Sequence, residues 1–216
     1  IHMMTKEQEM IKTYIEQFGT NTTSFQILNP GMSYWFSNSL SGAAGYVQKL
    51  GWCIVAGQPL CSNESMPKIL EEIEKKKKKT CYFAVEDPFV NNAEWMKKRQ
   101  KIAIGDQPAW YPKEWNIENN ASLRYQLNRA KNKEVIVKEK NNIDPIRFQL
   151  ETCLEEWIDQ RPFFTLHYLT EPRILSQLTS RRVFVATQNE KIVAYLVLSP
   201  IPLKKGWLIE QIIRKK

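Results

Sequence analysis

Histidine is nearly missing from this sequence: two occur in 216 residues. His2 lies in Ile1-His2-Met3, which reads as a cloning remnant ahead of a native start at Met4. His167 is then the sole native histidine, so any Ser-His or Cys-His mechanism has to run through it. The four cysteines, Cys53, Cys61, Cys81 and Cys153, form no C-x-x-C pair. Three of them sit among apolar residues and read as buried thiols, and with so little histidine a zinc site is disfavoured. Eight glycines leave little for phosphate-cradling loops, and neither a Walker loop nor a G-x-G-x-x-G or G-x-S-x-G motif occurs. No apolar run approaches the roughly 20 residues that span a bilayer; the longest, 192–202, has the length of a strand. No signal peptide is legible either, so a cytoplasmic location is expected, peripheral at most to the inner face of the membrane.

What is present is an ordinary globular composition, 43% hydrophobic and 11% aromatic, with a basic bias that is unevenly spread. Residues 162–216 hold nine Lys/Arg against three Asp/Glu, a net +6 of the chain's +8. That excess points to a polyanionic partner such as RNA, anionic headgroups or a phosphate-rich co-substrate. The run Lys75–Lys79 closes a helix, where cations complement the dipole, and reads as a solvated helix end.

Periodicity predicts a helix over 5–18 and short β-like runs at 24–28 and 32–37 around the turn Asn29-Pro30-Gly31. Strands follow at 43–50 and 52–56, then a helix over 67–78, a buried strand at 80–85 and a short helix at 91–99. A strand at 101–105, a Pro/Trp loop at 106–115, a helix over 117–133 capped by Asn119 or Asn120, and a strand at 134–138 complete the first half. Asn141-Asn142-Ile143-Asp144-Pro145 breaks the chain. Beyond it come a helix over 145–160, a short helix around 172–179, and strands at 183–187, 192–198 and 207–214. The expected class is α/β (α+β), with mixed sheets flanked by helices. The expected division is an N-terminal segment (1–23), a first domain (24–143) and the start of a second (144–216). Trp95, Trp110 and Trp115 read as core and loop anchors.

Four stretches narrow this reading. Ser122-Leu123-Arg124-Tyr125-Gln126-Leu127-Asn128-Arg129-Ala130-Lys131-Asn132-Lys133 resembles the "LRyqiNRarnkG" helix of the DUF2156 family, the C-terminal module of phosphatidylglycerol lysyltransferases. Glu155-Glu156-Trp157-Ile158 resembles its "isdeWl", residues 183–199 its "vfva…g.ivaf..l.P" hairpin, and Trp207-Leu208-Ile209-Glu210-Gln211-Ile212-Ile213-Arg214 its "wyiEdlvR". The resemblance covers about residues 24–216. It implies tandem GNAT-like halves and transfer of an aminoacyl group from charged tRNA to a lipid headgroup or another hydroxyl or amine acceptor. Neither metal nor cofactor is implied, the donor (aminoacyl-tRNA or acyl-CoA) being a co-substrate. In the family "vR" is followed by an "APNGt" turn and a helix. This sequence ends at Arg214-Lys215-Lys216, so the second half is expected to be incomplete, and a partner subunit is possible.

The resemblance implies Glu210 as the group that orients the donor amine or accepts a proton, and Arg214, on the same strand face, as a phosphate or carbonyl contact. His167 is a second candidate base, by elimination. Arg124, Asn128 and Arg129 are implied as substrate-positioning residues. Two alternatives stand beside transfer: a non-catalytic RNA- or membrane-surface-binding protein of the same fold, and an acyl-CoA-dependent N-acetyltransferase.

Overall fold

The computed structural model describes residues 4–160, 171–175 and 178–215. The chain divides into two compact units. The first comprises the described residues within Ile1–Ile102, Phe163–Arg181 and Leu198–Glu210; the second comprises those within Ala103–Pro162, Arg182–Val197 and Gln211–Lys216.

The first unit opens with α1 (Lys6–Phe18), started by a capping box. The Thr5 hydroxyl accepts from the Gln8 amide at 3.2 Å while the Gln8 side chain accepts from the Thr5 amide at 3.0 Å. A 3-10 turn (Ser24–Leu28) stands where a β-like run is expected. Its five residues are all buried, and its backbone hydrogen bonds are local, Gln26 to Thr23 and Asn29 to Gln26, leaving no ladder to a neighbouring strand. The strands β1 (Ser33–Phe36), β2 (Gly42–Lys49) and β3 (Trp52–Ala56) form an antiparallel meander, and β4 (Leu60–Cys61) pairs with β2. α2 (Met66–Lys76) then carries the chain over the sheet, so that β5 (Thr80–Phe83) joins β3 in parallel, as a crossover connection permits. β5 alternates half-buried and exposed residues and is not the buried strand its composition suggests.

β2 owes its place to small residues. A Cβ on Gly45 would lie 2.6 Å from Ile27 Cβ, so only glycine lets the 3-10 turn approach the sheet this closely. The next strand residues divide the core. Ala43 packs with Ile11, Ile15, Phe25 and Ile27 on one face, and Ala44 packs with Met66, Ile69, Leu70 and Ile73 on the other. α3 (Asp87–Val90) and α4 (Ala93–Met96) close this second face with Phe89 and Trp95, whose rings lie 5.5 Å apart.

The second unit holds α5 (Ala121–Asn132), β6 (Ile136–Glu139), α6 (Arg147–Asp159), β7 (Arg182–Gln188) and parts of β8 (Lys191–Ile201) and β9 (Gly206–Arg214). The four strands form one sheet in the order β6-β7-β8-β9, with β6 and β7 antiparallel. α5 is capped by the Asn120 side chain, which accepts from the Leu123 amide at 3.0 Å; the chain before it forms a separate 3-10 turn at Ile117–Asn119. No regular element occupies 101–105, and Trp110 and Trp115, expected as anchors, are each 55% exposed. Only Trp95 of those three is buried. Cys53, Cys61 and Cys153 are buried thiols, and Cys81 is exposed. The expected helix at 172–179 lies partly outside the described residues. No helix among the described residues is long and apolar enough to cross a membrane.

Candidate functional site

Strand periodicity places the charged groups. β7 buries Val183 and Val185 and turns Arg182 outward, so Arg181, two residues before Val183, falls on the buried face. β8 likewise buries Tyr195, Val197, Ser199 and Ile201. Within the first unit this brings Arg181, Ser199 and Glu210 together with Asn29, which follows the 3-10 turn.

The cluster is saturated. Arg181 Nε donates to Glu210 Oε2 at 2.8 Å and to Ser199 Oγ at 3.0 Å, and Arg181 Nη2 donates to Asn29 Oδ1 at 2.6 Å and Glu210 Oε1 at 3.3 Å. Asn29 Nδ2 donates to Glu210 Oε1 at 3.1 Å, and the Ser199 hydroxyl donates to Oε2. The Arg181 and Glu210 side chains are 1% and 2% exposed. The Arg181 guanidinium also lies over the Phe25 ring, 5.1 Å from its centroid. Burial pushes the Glu210 carboxyl up, but the charge of Arg181 and the hydrogen bonds from Arg181, Ser199 and Asn29 outweigh it, and the group lies below the usual carboxylate range. A carboxylate offers about four acceptor positions, and here four donors take them. The arrangement fixes Arg181 and Ser199 in place. A pocket of about 30 Å³ beside it, between Gln8, Lys12, Phe25, Thr179 and Arg181, has room for a water or two.

The other expected site residues fall elsewhere. Arg124, Asn128 and Arg129 lie in the second unit on α5, a helix that buries none of its residues. Arg124 donates to the Glu118 backbone carbonyl and so braces the turn that precedes its own helix. Arg214, also in the second unit, is exposed. Glu210 and Arg214 share a strand parity, but the buried side of β9 changes between them, because Gln211 and Ile213 become the inward pair. They therefore do not share an environment. His167 lies outside the described residues.

The basic last quarter also reads differently in three dimensions. Among the described residues, several of these cations meet acids: Arg181 with Glu210, Arg182 bidentate with Glu139 at 2.7 and 2.8 Å, Lys204 with Glu86 at 2.6 Å, and Lys215 with Glu156 at 2.7 Å. Three of those acids come from outside the quarter, so counting charge along the chain overstates the free positive field there. Sequence reasoning missed Arg181, Ser199 and Asn29. The alternation of apolar residues in β7 and β8 carries the signal for the first two; Asn29, inside a turn motif, offers none. Among the described residues, no three His, Cys, Asp or Glu side chains converge as a metal site.

Comparison with known proteins agrees with this architecture. A family model described as phosphatidylglycerol lysyltransferase, C-terminal, matches residues 12–211. The structure of L-PGS from Bacillus licheniformis superposes with a TM-score of 0.79 at 16% identity, over 98% of this chain and 66% of that one. The C-terminal DUF2156 domain of a candidate lysylphosphatidylglycerol synthetase from Agrobacterium fabrum gives 0.79 at 14%, over 97% and 68%. A conserved protein of unknown function from Bacteroides thetaiotaomicron gives 0.59 at 12%, over 90% and 73%. No curated protein sequence matches. At these identities the solved structures establish the fold, which is α/β of GNAT-like type with helices flanking the sheets, and the chain spans about two thirds of the first two. By the match over residues 12–211, the chain belongs to the family of phosphatidylglycerol lysyltransferase C-terminal domains.

Proposed function

We propose that this chain transfers an aminoacyl group from a charged tRNA to a hydroxyl of a phosphatidylglycerol headgroup. The family match over nearly the whole chain is the observation that carries the reading. In the reaction the acceptor oxygen bonds to the ester carbonyl carbon, the bond to the tRNA ribose oxygen breaks, and the acceptor proton ends on that ribose oxygen. Most of the acceleration would come from holding the two reactants in contact, with a positioned base supplying a further part.

The exposed cations of α5, Arg124, Arg129 and Lys131, with no acid in that helix, support a role in meeting donor phosphates, with Asn128 beside them and Arg214 as a further cation. The saturation of Glu210 supports a positioning role for it, exerted through Arg181 and Ser199, and leaves the proton to His167. The test is direct. Radiolabelled lysyl-tRNA and phosphatidylglycerol vesicles are incubated with the chain, and the solvent-extracted lipid is examined for label. Labelled lipid is expected, with a donor KM that rises in Arg124→Ala and with added salt, and a kcat reduced about 10²–10⁴-fold in His167→Gln. Absence of labelled lipid with any aminoacyl-tRNA, while RNA or vesicle binding persists, would replace transfer with the binding reading.

A further inference from the structure

The β2–β3 hairpin turns on Leu50 and Gly51, whose φ angles are both positive, 50° and 79°. Two-residue turns of this kind favour Asn, Asp and Gly, because a side chain with a bulky Cβ substituent crowds the backbone there. Leucine is a poor choice for the backbone, and packing does not explain it: Leu50 is 98% exposed. Trp52, two residues on, is 47% exposed.

Register places lysines around this tip. Lys49 stands opposite Trp52, and the Cys53 amide donates to the Lys79 carbonyl at 2.7 Å, so the segment Lys77–Lys79 reaches the same end of the sheet. Lys77 folds back over Tyr46, with Nζ 4.6 Å from the ring centroid. Lys49, Lys75, Lys76, Lys78 and Lys79 are exposed, and none of them forms an ion pair among the described residues. Neither 47–54 nor 75–83 contains an acid. The run that looks in sequence like an ordinary helix end is the collar of an apolar tip.

We propose that this end of the first unit docks on an anionic lipid bilayer. Leu50 and Trp52 enter the boundary between headgroups and acyl chains, and Lys49, Lys75, Lys76, Lys78 and Lys79 lie in the headgroup layer. The chemistry favours lipid over RNA. Leu50 has neither a hydrogen-bonding group nor a ring to stack on a base, and the patch uses lysine throughout, without the guanidinium forks suited to phosphodiester recognition. The docking does not depend on the transfer reaction.

The experiment is vesicle flotation of the full chain at low salt, with phosphatidylcholine alone and with equal parts phosphatidylcholine and phosphatidylserine. Phosphatidylserine supplies the charge without offering the headgroup proposed as acceptor. Wild type should float with the anionic vesicles only and be released by salt. Replacing Lys76, Lys78 and Lys79 together by Gln should weaken binding about a hundredfold, from roughly fivefold per lysine. Leu50→Asn should weaken it about tenfold while the melting temperature holds or rises, because Asn tolerates the turn; a merely structural Leu50 would lower it. The proposal is overturned if wild type ignores anionic vesicles, or if both variants float like wild type. It is also overturned if the lysine variant loses binding to uncharged tRNA with vesicle binding intact.

Discussion

Glu210→Gln preserves shape and looks mild in sequence, but the burial of its pair with Arg181 makes it a damaging change. It leaves the Arg181 guanidinium, 1% exposed, without its counter-charge. The new amide also turns an NH2 toward donors on Arg181, Ser199 or Asn29, whichever way it is flipped. Breaking a buried pair by removing one partner costs about 3–5 kcal/mol, a large share of the ~5–15 kcal/mol that holds a domain folded. For a chain of this size each kcal/mol lowers the melting temperature by about 2–4 °C, so a fall of roughly 6–20 °C is expected by circular dichroism. The double change Arg181→Met with Glu210→Leu removes both charges and should recover part of the loss, since an apolar replacement of a buried pair is often neutral, while the buried Ser199 hydroxyl loses the partners it has here. The pH dependence has a definite sign. The folded carboxyl lies below its ordinary value of 4.5, so its contribution is complete above about pH 4.5 and is lost as the pH falls through the folded value. The double variant should lack that part of the acid destabilisation. A single variant that melts within a degree of wild type, or a double variant as unstable as the single, would refute this account of the cluster.

Gly45→Ala should destabilise by about 1–3 kcal/mol in chemical denaturation, because its methyl would press on Ile27 at 2.6 Å with the sheet behind it. Gly42→Ala should cost less, since the nearest atom is the mobile end of Ile69. A thiol reagent at mildly alkaline pH should modify Cys81 quickly and spare the other cysteines until denaturant is added. Burial pushes Cys61 up to about 12 and also raises Cys53 and Cys153. Fast labelling of Cys81→Ser would contradict the burial of the remaining three.

Much of the fold was legible because it follows from local chemistry. The helix over 67–78, the Asn120 cap, the turn between the strands at 43–50 and 52–56, and the strands at 183–187 and 192–198 each depend on neighbours a few residues away. So did the family likeness, carried by short contiguous motifs. The 3-10 turn at Ser24–Leu28 was misread because a short apolar run has no period long enough to separate strand from buried turn. What each charged group faces was not legible. Arg181 and Glu210 are 29 residues apart, and Asn29 is 152 from Arg181, so whether those cations face water or one another depends on which strands become neighbours. The same holds at Lys75–Lys79, where the lysines alone indicate a solvated helix end. Only the β2–β3–β5 register brings Leu50 and Trp52 beside them. Sequence fixes which groups are charged, but burial and opposing charge act through space, and tertiary pairing alone decides which charges are quenched and which are presented.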